Sequence, residues 1–118
     1  MTSPRSLLDR RRLMDALDAY LRSCYRSRTA ARVGEFAAIL KLTRPYLSRL
    51  YITSIGRSLG DLMRERQLTR AEWLLRTTQL SMADIAALSA FGTEPTLRRV
   101  FRALRGMKPS EYRQKVTK

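Results

Sequence analysis

The sequence predicts an all-α protein built from two similar helical units that a long helix connects. Apolar residues recur at spacings of three and four along the chain, which is typical of amphipathic helices. No segment shows the alternation of polar and apolar residues that indicates a strand. One nine-residue pattern occurs twice, as TRPYLSRLY and, fifty positions later, as TEPTLRRVF. A repeat over this distance indicates two copies of one supersecondary unit.

The first unit is predicted to be a helix, a short turn and a second helix. Its helical spacing runs through Val33, Phe36, Ala37 and Leu40, and then through Leu47, Leu50 and Tyr51. Thr43 suits the N-cap of the second helix, because a threonine hydroxyl accepts a hydrogen bond from a free N–H of the first turn. Pro45 falls in that first turn, where its missing N–H costs little.

The second unit repeats this plan with the same landmarks. Its apolar positions are Met82, Ile85, Ala86 and Leu88, followed by Leu97, Val100, Phe101 and Leu104. Thr93 and Pro95 stand where Thr43 and Pro45 stand in the first unit. Two further helix starts are indicated by Ser-x-x-Asp patterns that resemble capping boxes, Ser58 with Asp61 and Ser81 with Asp84.

A single long helix, from Ser58 to about Thr77, is predicted between the units. Its two halves carry different apolar faces, which are Leu59, Leu62 and Met63 at the start and Leu68, Ala71 and Leu75 further on. Two faces on one helix indicate that each end packs into a different unit. Such a helix is about 30 Å long, close to the ~34 Å between successive major grooves on one side of a duplex. Trp73 on this helix is expected to be a packing residue.

The net charge indicates a polyanionic partner. Lys and Arg together number 24 against 10 Asp and Glu, which gives a net charge of +14. A strongly basic field concentrates phosphates near the protein and steers their encounter with it. Most of the basic residues are Arg, whose planar fork grips a phosphate or a guanine in two places. The alternative is a basic surface that only water solvates.

Several chemistries lack the residues they need. The chain has no His and one Cys, which excludes a zinc site, a Cys–His pair and an imidazole base. Cys24 falls among apolar positions and is expected in the core, as in a cytoplasmic protein without disulfides. No apolar run is long enough to span a membrane. With no Gly-rich phosphate loop and no convergent carboxylates, we expect neither an enzyme nor a cofactor.

Two helices joined by a short turn describe both a DNA-reading helix-turn-helix and an ordinary helical hairpin. The second helix of the second unit favours DNA reading. Arg98, Arg102 and Arg105 flank its apolar stripe, and Arg99 points away from the stripe beside Thr96. A helix with one core face and an opposite face of Arg and Thr suits a major groove. A charged face that only keeps the protein soluble is the alternative.

The second unit resembles the signature of the AraC/XylS family of bacterial transcription regulators. The matching residues are Ile85-Ala86, Phe91, Phe101, Gly106, Pro109 and Tyr112-Arg113. The first unit matches the family through Phe36-Ala37, Thr43, Tyr46-Leu47, Arg49-Leu50-Tyr51 and Gly56. The resemblance covers about residues 6–116.

This resemblance implies a fold of about seven helices, the first of which runs from about Pro4 to Arg26. We divide the chain into residues 1–57, 58–77 and 78–118, which are the first unit, the connecting helix and the second unit. The resemblance implies that the residues that read DNA bases are Pro45, Ser48, Arg49, Glu94, Pro95, Thr96 and Arg99. The residues expected to bind DNA phosphates are Arg44, Arg98, Arg102 and Arg105.

The chain departs from the family pattern at its turns. Lys41 and Ala90 stand where glycine is usual, and a left-handed backbone at either would cost on the order of 1 kcal/mol. A reshaped turn is therefore one expectation at each position. Arg32 stands where a capping Ser is usual. The arginine usual in the connecting helix is either Arg66 or displaced by Gln67, so the register there stays open.

We expect a cytoplasmic, nucleoid-associated regulator that binds specific double-stranded DNA as a monomer, more an activator than a repressor. The resemblance implies contact with RNA polymerase. The length indicates the stand-alone type of this family, with no small-molecule effector evident, and the lack of a long apolar run indicates no membrane association. One alternative is a nonspecific nucleic-acid packaging protein, for which the charge alone would suffice. Another is a protein-interaction regulator that blocks a second regulator.

Overall fold

The computed structural model describes residues 9–117, and this range folds into seven α-helices without a strand. The all-α prediction and the number of helices are confirmed. The predicted start of the first helix near Pro4 lies outside the described residues. The helices are α1 (Arg10–Ser27), α2 (Val33–Ile39), α3 (Arg44–Ile55), α4 (Leu59–Thr77), α5 (Met82–Leu88), α6 (Glu94–Arg105) and α7 (Pro109–Val116).

Side-chain caps fix where several helices begin. The Thr43 hydroxyl accepts a hydrogen bond from the Tyr46 N–H at 3.3 Å, as predicted for α3. The serine of each predicted capping box also accepts the expected bond, from Asp61 N–H to Ser58 and from Asp84 N–H to Ser81. Thr93 differs, because its hydroxyl pairs with the Thr96 hydroxyl at 3.0 Å instead of a backbone N–H.

The first core forms where α1, α2, α3 and the start of α4 meet. Its largest fully buried members include Leu13, Leu17, Phe36, Leu47 and Tyr51. The Tyr51 hydroxyl donates to the Leu13 carbonyl at 2.6 Å and so joins α3 to α1. Burial raises the pKa of this hydroxyl above its usual value, so it stays protonated and keeps the bond. The predicted burial of Cys24 is confirmed.

The second core forms between the rest of α4 and α5, α6 and α7. Its fully buried members include Leu68, Leu75, Ile85, Leu97 and Phe101. The Arg113 guanidinium closes this unit by donating to three backbone carbonyls at the end of α4 and beyond, those of Leu75, Thr78 and Leu80. Leu104 was expected in the apolar stripe of α6, but its side chain is 49% exposed because the stripe ends one turn earlier.

The connecting helix α4 belongs to both cores. Its apolar residues near the start lie in the first core and those further on lie in the second, as the two predicted faces require. Trp73 was expected to be a packing residue, and its ring packs only in part. Its indole is 46% exposed and its ring lies 5.2 Å from the Arg70 guanidinium carbon.

The two units also touch each other directly, away from α4. The Ala90 carbonyl accepts two hydrogen bonds, from the Ala31 N–H at 2.9 Å and from the Gln67 amide at 2.8 Å. Ala31 follows α1, Gln67 lies on α4, and Ala90 forms the turn between α5 and α6. One backbone oxygen therefore links the first unit, the connecting helix and the second unit.

Both turns within the units keep the left-handed backbone at the positions where glycine is usual but absent. Lys41 has a φ of 59° and Ala90 a φ of 65°. In each turn the following residue donates back five positions, from Leu42 to Ala37 and from Phe91 to Ala86. This is the Schellman arrangement, which satisfies the last carbonyls of a helix. The turns are therefore not reshaped, and Lys41 and Ala90 both adopt the strained left-handed conformation.

Candidate nucleic-acid interface

The predicted reading residues lie on α3 and α6, the second helix of each unit. Leu47 and Leu50 turn α3 toward the first core, and Leu97 and Phe101 turn α6 toward the second. The opposite faces are accessible to solvent. The exposed positions among the predicted base-reading residues are Pro45, Arg49, Pro95 and Arg99, whereas Ser48, Glu94 and Thr96 are half-buried.

Three of the four predicted phosphate-binding residues are also exposed, namely Arg44, Arg98 and Arg102. Arg98 lies 3.9 Å from Glu94 one turn earlier, an exposed pair that adds little stability and does not hold the guanidinium. Arg44 packs its aliphatic stem beside Gly34, where an added Cβ would lie 3.4 Å from the Arg44 Cδ. The absence of a side chain at Gly34 therefore leaves room for the stem.

Arg105 does not fit the phosphate-binding prediction. Its guanidinium donates to Glu72 at 3.1 Å and to Glu65 at 2.9 Å, and its side chain is only 24% exposed. The hydrogen bonds that Arg105 donates to Glu65 and Glu72 raise the pKa of Arg105 further above its usual value. Both glutamates lie on α4, so Arg105 ties the last turn of α6 to the connecting helix. We call these three residues the Arg105 fork.

A concave basic surface lies between the two recognition helices. Two neighbouring cavities, of about 430 and 310 Å³, share the lining residues Ala31, Arg32, Arg64 and Gln67. The first cavity reaches Arg44 at the start of α3, and the second reaches Thr96 and Arg99 on α6. The surface therefore runs from one recognition helix to the other with arginines along its whole length.

Arg32 and Arg64 were missed by the sequence reasoning, although the sequence carries a signal for each. Arg64 precedes Leu68 by four residues, so it projects on the same side of α4 as the second apolar face. It stands one turn before the first buried residue of that face. Its only carboxylate partner in the described range is Asp61 at 3.5 Å, an exposed pair. Arg32 occupies the N-cap of α2, where a small capping residue is usual.

Tyr20 holds the backbone where α2 begins. Its hydroxyl accepts a hydrogen bond from the Arg32 N–H at 3.0 Å and donates to Glu35 at 2.7 Å. Its ring stacks on Phe36, with the ring centroids 5.0 Å apart. Burial raises the pKa of the Tyr20 hydroxyl, which keeps it a donor. The Arg32 side chain itself is exposed.

The described residues offer neither a metal site nor a membrane-spanning helix. No three of the His, Cys, Asp and Glu side chains between residues 9 and 117 group together as metal ligands would. Among the seven helices of this range, none is long and apolar enough to cross a membrane. The arrangement that remains is two reading helices with a basic surface between them.

Two helix-turn-helix units joined by one helix define a class of DNA-binding fold, and the comparison with protein families agrees. The model of a helix-turn-helix domain matches residues 36–115. The chain belongs to the AraC-type helix-turn-helix family, which confirms the resemblance seen in its sequence.

Particular relatives support the same family. The regulatory protein SoxS of Escherichia coli K12 is 38% identical over 71 residues, which are 60% of this chain and 66% of SoxS. The transcriptional activator AarP of Providencia stuartii is 34% identical over 71 residues, which are 60% of this chain and 53% of AarP. The chain thus spans slightly less than two thirds of SoxS and about half of AarP.

Solved structures share the fold. The DNA-binding domain of AdpA, determined in complex with a target DNA, matches with a TM-score of 0.74 and 22% identity, covering 87% of this chain and 90% of that one. A transcriptional regulator with an AraC-type DNA-binding domain from Chromobacterium violaceum matches with a TM-score of 0.69 and 22% identity, covering 90% and 92%. At this identity the likeness concerns the fold alone.

Proposed function

We propose that the protein is a transcription regulator that binds a specific double-stranded DNA site and activates transcription from it. The observation that carries this proposal is the pair of exposed recognition helices with a continuous basic surface between them. The AraC-type family and the DNA complex of the similar AdpA domain support it.

In this proposal α3 and α6 enter two adjacent major grooves on the same side of the duplex. The base-reading residues are those named above, Pro45, Ser48 and Arg49 on α3 and Glu94, Pro95, Thr96 and Arg99 on α6. Arg44, Arg98 and Arg102 bind phosphates at the edges of the grooves. Pro45 and Pro95 offer no side-chain hydrogen bond and would contact DNA through apolar surface, such as a thymine methyl.

Arg32 and Arg64 receive a distinct role. They lie between the recognition helices, where a duplex with both helices in its grooves presents the backbone of the intervening minor groove. We expect them to bind phosphates there, because no base edge of the major groove reaches this position. Arg105 is removed from the phosphate-binding set, because Glu65 and Glu72 hold its guanidinium.

The two units are expected to act as one rigid reader. The connecting helix enters both cores, and the Ala90 carbonyl joins both units through two hydrogen bonds. A single chain holding both helices needs no second subunit, so we propose that it binds DNA as a monomer. The units differ at their reading positions, so the two halves of the site would differ in sequence.

Activation and a contact with RNA polymerase, in the cytoplasm, are the finer parts of the proposal. Their support is that AarP is named a transcriptional activator and that a Yersinia pestis relative, 32% identical over 71 residues, is named a positive regulatory protein. A reporter gene behind the selected site would test the sign of regulation. Higher expression with the protein present supports activation, and lower expression contradicts it.

Selection of binding sites from random duplexes tests the function itself. We expect one preferred site that binds at least about a thousandfold more tightly than random DNA. We also expect affinity to fall by roughly 10³ to 10⁵ between 50 and 200 mM salt, if six to ten phosphates are contacted. Equal affinity for every duplex would favour a packaging protein instead. Weak, salt-insensitive binding would favour the protein-interaction alternative.

A further inference from the structure

A second basic feature of the molecule lies apart from the recognition helices. It is a groove of about 700 Å³ between α1 and α4, lined by five arginines and two carboxylates over an apolar floor. Leu21 and Leu62 contribute to this floor, and Trp73 and Tyr25 contribute aromatic rings. We call it the α1–α4 groove.

The α1–α4 groove opens on the far side of α4 from the proposed DNA surface. The α4 residues beside the DNA surface are Gly60, Met63, Arg64 and Gln67, and none of them lines the groove. The groove is instead lined from α4 by Leu62, Glu65, Arg66, Thr69, Arg70, Trp73 and Arg76. At about 100° per residue these two sets lie on opposite sides of the helix. A molecule in the groove would leave the recognition helices free.

The groove carries positive charge that the protein does not neutralise. Its two carboxylates are already engaged, Asp18 by Arg66 and Glu65 by Arg105. Among residues 9–117, no carboxylate lies within 4.0 Å of Arg22, Arg57, Arg70 or Arg76. Four guanidinium groups therefore face the groove without an acidic partner.

One of these arginines is held in place by aromatic rings. The Arg70 guanidinium carbon lies 4.9 Å from the centre of the Tyr25 ring and 5.2 Å from that of Trp73. Its Nε also donates to the Leu88 carbonyl at 3.3 Å. Because its position is fixed before any partner arrives, little side-chain entropy would be lost on binding. The half-exposed Trp73 indole beside it is a large apolar surface open to solvent.

We propose that the α1–α4 groove binds an acidic segment of a partner protein that also carries apolar side chains. Carboxylates would pair with Arg22, Arg57 and Arg76, and an apolar side chain would cover Trp73. Arginine and tryptophan residues are both enriched where proteins bind one another. A duplex offers phosphates to such a groove but no apolar side chain, so a peptide uses more of what the groove presents. This inference goes beyond DNA binding and does not depend on it.

Trp73 is the single tryptophan of the sequence, so its fluorescence reports on the groove directly. The probe is a synthetic peptide of alternating acidic residues and Leu or Phe. One control peptide replaces the apolar residues with Ser, and a second replaces the acidic residues with Gln. We expect the first peptide to shift the Trp73 emission and to bind at least tenfold more tightly than either control. Equal binding of the serine peptide would overturn the proposal, because attraction would then depend on charge alone.

Charge reversal in the groove supplies the matched comparison. The double variant R22E/R57E should weaken the peptide at least tenfold. The control R12E/K115E makes the same change in net charge at exposed positions outside the groove and should weaken it less than twofold. Both variants should lose affinity for DNA to the same small extent. Equal peptide losses in both variants would refute a defined site.

Competition between the peptide and duplex DNA tests whether the groove binds DNA instead. We expect the peptide to bind with unchanged affinity when the protein is saturated with duplex DNA, since the groove faces away from the recognition helices. If DNA displaces the peptide and R22E/R57E weakens DNA more than R12E/K115E does, the groove is part of the nucleic-acid surface and the proposal fails. Failure of DNA binding in the unchanged protein would refute the proposed function without affecting the peptide result.

Discussion

Replacing Arg105 with Ala tests whether the last turn of α6 is positioned by α4 or binds DNA itself. The Arg105 fork makes charge-assisted hydrogen bonds to Glu65 and Glu72, which are worth more than neutral ones. The pair with Glu72 is largely shielded and the pair with Glu65 is more exposed, so water screens part of the gain. We expect R105A to lower the free energy of unfolding by about 1 to 2 kcal/mol. Urea denaturation measures this as a midpoint shift of roughly 0.5 to 1 M.

The effect of R105A on DNA binding separates positioning from phosphate contact. If the fork sets the orientation of α6, its loss should weaken the preferred site by about tenfold, which is about 1.4 kcal/mol, within the range of one base contact. Random DNA should be bound almost as before, and the salt dependence should not change. A phosphate contact would instead lower both affinities and reduce the salt slope by about one.

The double variant E65Q/E72Q should change affinity for the preferred site in opposite directions, depending on whether Arg105 positions α6 or binds phosphate. It removes two negative charges, so the net charge rises from +14 to +16 while Arg105 remains. A freed Arg105 that binds phosphate would raise affinity for every duplex and increase the salt slope. A fork that positions α6 would be lost, so affinity for the preferred site should fall relative to random DNA. Titrations of each variant on both duplexes at several salt concentrations measure the difference.

R102A is the matched control, because Arg102 lies on the same helix, is exposed and pairs with no carboxylate in the described residues. It should weaken preferred and random DNA alike and lower the salt slope by about one. If R105A behaves as R102A does, and E65Q/E72Q tightens binding to the preferred site, the positioning role of Arg105 is refuted.

Three further predictions follow from the interface. R99A should weaken binding to the preferred site by about 1 to 3 kcal/mol and relax sequence selection at one or two base pairs, which repeated site selection would show. If the selected motif is unchanged and affinity falls equally for preferred and random DNA, Arg99 does not read bases. R64A should reduce affinity for all duplexes and lower the salt slope by about one, and an unchanged slope in the same titrations would contradict a phosphate contact. Inserting five base pairs between the halves of the site turns the second groove to the far side of the duplex. Affinity should then lose most of the second unit's contribution, as a binding titration would measure. Retained affinity would indicate a flexible joint between the units.

The sequence predicted those parts of the fold that depend on neighbouring residues. Helical periodicity identified the two units, and short-range chemistry placed Thr43 and Ser81 at helix starts, because a cap bonds only two or three residues ahead. The two apolar faces of α4 were also readable, since they depend on spacing within one helix. The positions of α3 and α6 follow from the same local signals.

The sequence could not show contacts between distant elements. Arg105 had the spacing of a flanking arginine, and only its approach to Glu65 and Glu72 on another helix reveals the fork. Trp73 was expected to be a packing residue, and only the gap between α1 and α4 reveals that its ring stays half exposed. The Ala90 carbonyl has no signature at all, because every residue has a backbone oxygen and only tertiary structure decides which one joins two units.

The two strained turns should respond differently to glycine, because only one of them also serves as the joint between the units. Lys41 is exposed, and a glycine there would relieve a left-handed backbone that costs about 1 kcal/mol. Ala90 has the same strain, but its methyl group is buried and is worth about 0.8 kcal/mol by its removal from water. We therefore expect K41G to raise the free energy of unfolding by about 1 kcal/mol and A90G to leave it nearly unchanged, as urea denaturation would measure. K41A keeps the Cβ and should give no such gain. If A90G stabilises the protein as much as K41G does, the buried methyl group contributes nothing at the joint, and only the carbonyl of residue 90 matters there.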